Sequence, residues 1–168
     1  MSLEQYQLKE AVAELLLEEA DTLDQRRWDD WLALYEEDAT YYAPAWEGDD
    51  DLTSDPHKEI SLIFCGSRER MWDRVWRIKS NLSSSLARMP RTCHLVTNIR
   101  ISESSEAALR VTTNFRTETF KHEEKDSTSF FGRYLYDLKR SGDTLTIQNK
   151  KIIVYNDIIP RQMDIFNI

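Results

Sequence analysis

The apolar residues of this chain change their period near Arg91, from three-to-four before it to two after it. Only a fold with both helices and an extensive sheet accommodates that change. In the first part, Leu8, Ala11, Val12, Leu15, Leu16, Ala20 and Leu23 recur at helical spacing, with Glu10, Glu14, Glu18 and Asp21 on the other face. Trp28, Trp31, Leu32 and Tyr35 repeat the pattern, with Asp24 placed to cap them. Thr40, Tyr41 and Tyr42 favour a strand over Ala39 to Ala43, which Pro44 ends. Residues 44–57 read as an acidic loop, and Ile60, Leu62, Ile63 and Phe64 as a short strand. Ser67 then caps a third helix carrying Met71, Trp72, Val75 and Ile78, followed by a polar, serine-rich link from Ser80 to Pro90.

Beyond the link, Cys93, Leu95, Thr97, Ile99 and Ile101 alternate with His94, Val96, Asn98, Arg100 and Ser102. A second run sets Leu109, Val111 and Phe115 against Arg110, Thr112, Asn114 and Arg116. A third sets Phe130, Tyr134, Tyr136 and Leu138 against Arg133, Asp137 and Lys139. The turn Ser141-Gly142-Asp143 leads into a last run, Leu145 to Tyr155, where the parity slips between Ile147 and Ile152 and predicts a bulge. A four-strand meander must cover its apolar face, and the N-terminal helices are the available cover. The expectation is an α+β cone, a strongly curved mixed or antiparallel sheet wrapped around N-terminal helices. It forms a single domain over 1–168, with helices mainly at 4–36 and 67–79, the meander at 91–155 and a tail at 156–168.

With 40% hydrophobic and 11% aromatic residues, a chain of 168 residues can build a sizeable core. Its net charge of −8 repels phosphate backbones. The basic stretch from Arg68 to Arg91 is read as a solvated or subunit-contacting face, so no nucleic-acid partner is expected. No run approaches a membrane span, and no membrane association is expected. Cys65 and Cys93 read as reduced, buried thiols of a cytoplasmic protein, although the sequence leaves one disulfide open.

Residues 28–42, Trp-Asp-Asp-Trp-Leu-Ala-Leu-Tyr-Glu-Glu-Asp-Ala-Thr-Tyr-Tyr, resemble the helix-to-strand signature of the nuclear transport factor 2 fold. Ala43-Pro44-Ala45-Trp46, the run from Asp55 to Ile63, Asp73 to Ile78, and Met89 to Ile99 narrow this. In the same order and at similar spacing, they resemble the small (β) subunits of aromatic-ring-hydroxylating dioxygenases of the benzoate and anthranilate type. The resemblance implies a non-catalytic structural subunit in an α3β3 hexamer with a β trimer. The partner large (α) subunit would carry a Rieske [2Fe-2S] cluster and a mononuclear non-haem iron, with NAD(P)H electrons arriving through a reductase. That complex converts an aromatic ring to a cis-diol, on a substrate such as benzoate, anthranilate or salicylate.

The residues themselves test whether this chain carries chemistry. A Rieske centre needs two short Cys–His pairings, and mononuclear oxygenase iron usually takes two His and a carboxylate. Cys93-His94 are adjacent, and His57, His94 and His122 are scattered, so no catalytic, cofactor-binding or metal residue is expected here. The alternative is a free-standing isomerase or dehydratase of the same fold, using Asp38, Tyr41, Tyr42 and His94 as base and carbonyl-polarising groups. A ligand-binding or scaffolding domain is a third reading. The interface candidates are Trp72, Arg74, Trp76, Arg77 and His94, together with the tail from Ile158 to Ile168.

Overall fold

The computed structural model describes residues 2–80, 88–160 and 162–168. Most of the Ser80–Pro90 link therefore lies outside the described residues. Helix α1 (Leu3–Asp24) opens on a capping box, in which Ser2 and Gln5 satisfy each other's backbone N–H. Among its buried positions, Val12, Leu16, Glu19 and Leu23 form one stripe at spacings of four, three and four. Helix α2 (Trp28–Ala33) is short, and strand β1 (Tyr35–Pro44) starts almost at once. Tyr35 thus belongs to the strand and not to a helix. The Leu34 carbonyl accepts from Ile147 N, committing the chain to the sheet before another helical turn can form.

Within the acidic loop, β2 (Trp46–Glu47) and β3 (Asp51–Leu52) make a small hairpin. Then come β4 (Ser61–Cys65), α3 (Arg68–Lys79) with Ser67 as its side-chain cap, and the long strands β5 (Arg91–Ser104), β6 (Ala108–Lys121), β7 (Asp126–Ser141) and β8 (Thr144–Val154). The main sheet runs β4-β1-β8-β7-β6-β5. Its pairs are antiparallel except β1 with β8, so the meander is closed onto the N-terminal part through one parallel pair. The inner face, covered by α1, α2 and α3, holds the core. The mixed sheet over helices is the α+β cone expected from the sequence.

Three local expectations change. The parity of β5 is not uniform: Asn98 adopts φ 55°, and the pairing with β6 jumps there. Before it Thr92, His94 and Val96 point inward, and after it Ile99 and Ile101 do, so Cys93, Leu95 and Thr97 face out. Cys93 is accordingly exposed, while Cys65 is buried, and both are free thiols. The end of the tail turns inward: Ile165, Phe166 and Ile168 are core residues, whereas Ile158 stays exposed. The slip in β8 falls where expected, with Gln148 the extra residue between Ile147 and Asn149.

Candidate functional site

The residues expected to share a pocket do not meet. Asp38 sits on the outer surface of β1 and accepts from Gln148 Nε2 at 3.0 Å, a bond that holds its carboxyl below the usual range. The Tyr42 hydroxyl donates to the Thr53 carbonyl at 2.9 Å, and that of Tyr41 to the Ile168 carbonyl at 3.2 Å. His94 is elsewhere again, under the end of α1. The bulge at Asn98 turns its side chain into the cone, where it is 2% exposed, whereas a uniform strand parity would set it opposite the apolar face.

The centre of the cone is filled by a different set. Lys150 Nζ donates to Glu19 Oε1 at 2.8 Å, with both side chains almost fully buried. Tyr35 donates to the same carboxylate oxygen, and Tyr136 to Oε2 at 2.8 Å. The ammonium also lies 4.0 Å from the centre of the Tyr134 ring. Burial lowers the Lys150 pKa against the pull of Glu19, and burial raises the hydroxyls of Tyr35, Tyr41, Tyr134 and Tyr136 well above the ordinary value. Neither charged residue was singled out from the sequence. The signals were there: Glu19 stands three after Leu16 and four before Leu23, and Lys150 shares the parity of Ile152 and Val154 once the bulge is passed. Trp31 packs edge-on against Tyr35 and Tyr41, and the Lys150 ammonium also lies 5.5 Å from the Tyr41 ring centre, so aromatic rings surround the buried charges.

A second polar pair lies between α1 and β5. Asp24, expected to cap α2, instead closes α1 and reaches across to the sheet. Its Oδ1 is 2.6 Å from His94 Nδ1 and accepts from Thr92 at 2.9 Å, while Oδ2 accepts from His94 N at 2.9 Å. Burial alone would raise the Asp24 pKa, but the bonds from His94 and Thr92 outweigh it and hold the carboxyl low. The other ring nitrogen, His94 Nε2, is buried without a partner.

On the outside, Trp72 and Trp76 are each about half exposed (48%) along α3, and Arg77 lies beside them. Arg74 is tied to Asp164 of the tail at 2.9 Å. The open groove beside Trp72 is lined by Asp29, Leu32, Glu37, Arg68 and Glu69. Among the described residues, no three His, Cys, Asp or Glu side chains come together to hold a metal ion, and no helix is long and apolar enough to cross a membrane. Among the described residues, the three histidines offer no donor set that fits iron–sulfur or mononuclear iron: His57 stands against Phe64 and His122 lies in the β6–β7 turn, both far along the chain from His94.

Residues 18–161 match the ring hydroxylating beta subunit family. The chain belongs to that family. It is 37% identical over 159 residues to the toluate 1,2-dioxygenase subunit beta of Pseudomonas putida, covering 95% of this chain and 97% of that one. It is 38% identical to the benzoate 1,2-dioxygenase subunit beta of Acinetobacter baylyi, over 95% and 93% of the two chains. Among solved structures, the β subunit of benzoate 1,2-dioxygenase from Burkholderia mallei superimposes with a TM-score of 0.76 at 30% identity, over 94% of this chain and 95% of that one. This β subunit is thus a small subunit of an aromatic-ring-hydroxylating dioxygenase, an oxidoreductase component.

Proposed function

We propose that the chain, as one domain over 1–168, is a non-catalytic, cytoplasmic assembly subunit. In this reading it joins an α subunit in an α3β3 hexamer with a β trimer. The α subunit would hold the Rieske [2Fe-2S] cluster and the mononuclear iron, fed with NAD(P)H electrons by a reductase. The substrate would be a benzoate-like ring acid, as the names of the toluate and benzoate relatives suggest. The observation that carries this reading is the buried polar network inside the cone. Where a catalytic member of the fold would need a cavity, Glu19, Lys150, Tyr35 and Tyr136 satisfy one another, and the Tyr134 ring packs on the Lys150 ammonium. The exposed Trp72, Trp76 and Arg77 favour α3 as a subunit contact, because aromatic residues and Arg are enriched there. Arg74 acts in that contact by holding the tail against α3.

The test is to purify the chain with and without a co-expressed large subunit and to measure mass and iron. A metal-free chain that enters an iron-containing complex of about six subunits supports the reading. A chain that stays alone and converts a small carbonyl or hydroxy compound overturns it.

A further inference from the structure

The inward face of β5, β6 and β7 carries a row of buried hydroxyls that the core does not use. Thr113, Thr117 and Thr119 Oγ1 and the Tyr134 hydroxyl have no partner, and neither does His94 Nε2. They are neighbours by register: His94 faces Thr117, Thr92 faces Thr119, and Thr113 faces Tyr134 across adjacent strands. Tyr134 also lies close enough to feel both Thr117 and the Asp24 carboxylate without reaching hydrogen-bond geometry. A buried polar group left dry is destabilising, and a cluster of them calls for a common partner.

We propose that His94 Nε2, Thr117 and Tyr134 form an interior site for one neutral, water-sized oxygen ligand, with a water molecule as its occupant. The chemistry selects that class. Asp24 holds the ring at Nδ1 and leaves Nε2 as its open position, which a water can partner because it both donates and accepts. The two hydroxyls can each donate or accept, which gives a water the roughly three bonds usual for buried solvent. An anion is repelled by the Asp24 carboxylate a few ångströms behind the ring, and a divalent cation would find one nitrogen and neutral hydroxyls only. The site is independent of subunit assembly, since all of its residues lie within this chain.

A crystal structure of the full chain at a resolution that orders solvent tests this, beside thermal unfolding of Tyr134→Phe and Thr117→Val. Both variants keep the packing shape, and Tyr134→Phe keeps the ring over Lys150. The expected result is a solvent peak about 3 Å from His94 Nε2, and a melting temperature lowered by about 2–4 °C in each variant. Absence of the peak, or a direct Tyr134-to-His94 bond in its place, overturns the proposal. So do variants that melt at or above the wild-type temperature, because removing a dry hydroxyl should be neutral or stabilising.

Discussion

Glu19 and Lys150 show how far one residue's effect depends on its partner. Removing a single member of a buried pair leaves a charge in a medium that cannot solvate it, at a cost of about 3–5 kcal/mol. Glu19→Gln and Lys150→Met should each lose that much in denaturant unfolding, Glu19→Gln also weakening the bonds from Tyr35 and Tyr136. The double variant Glu19→Leu/Lys150→Met should recover part of the loss, because the Tyr35 and Tyr136 hydroxyls are still left without their acceptor. The tyrosines add a pH signature. With hydroxyl pKa values raised on folding, their stabilisation is complete below about pH 10 and is lost as the pH climbs through the folded values. An ultraviolet absorbance titration should show Tyr35, Tyr41, Tyr134 and Tyr136 ionising only with unfolding. Asp24 works in the opposite sense: its folded pKa is depressed, so its contribution is complete above the ordinary 3.8 and vanishes as the pH falls through the lower folded value. Asp24→Asn should flatten the acid limb of a stability-against-pH curve and cost about 2 kcal/mol near neutrality.

At the level of elements, backbone irregularities decide which side chains meet. Asn98 reverses the parity of β5 and thereby delivers His94 to Asp24; the Gln148 bulge does the same for Lys150. Gly132 on β7 is a further fixed point, with φ 157° and an added Cβ placed 1.9 Å from the Ile153 carbonyl oxygen of β8. Gly132→Ala must push two central strands apart, and a loss of about 1–3 kcal/mol is expected in urea unfolding. The tail acts as an element despite having no regular structure. Asp164 accepts from Ile165 N and pairs with Arg74, and Ile165, Phe166 and Ile168 complete the core. Deleting residues 162–168 removes three buried apolar side chains, each worth about 1.5–3 kcal/mol. The shortened chain should be largely unfolded by circular dichroism at room temperature.

At the scale of the whole molecule, a buried polar network inside the sheet is combined with exposed tryptophans on α3. Trp72 and Trp76 stand on the solvent side of α3, while Met71, Val75 and Ile78 anchor its other side in the core. A helix divided in this way can lose its outer tryptophans without losing its fold. Trp72→Ala/Trp76→Ala should leave the melting temperature of the isolated chain within a few degrees. Under the proposed function it should also weaken co-purification with the large subunit at least about tenfold, as hot-spot truncation does. An unchanged complex would place the contact on another face.

The sequence by itself determined the α+β class, the order of helices and meander, the bulge in β8 and the family resemblance of the segments around Trp28, Asp55, Asp73 and Met89. Those properties are written in local periods and contiguous motifs, which the chain carries before it folds. Tertiary structure decided the contents of the cone. The pairs Glu19–Lys150 and Asp24–His94 join residues 131 and 70 positions apart. His94 and Lys150 reach their partners only because the strand register shifts in β5 and β8. A register shift moves every later side chain to the other face of its strand. It costs little locally and is set by what the helices and neighbouring strands bring opposite it. Asp38, Tyr41, Tyr42 and His94 looked like a set in one dimension, and the same physics dispersed them in three.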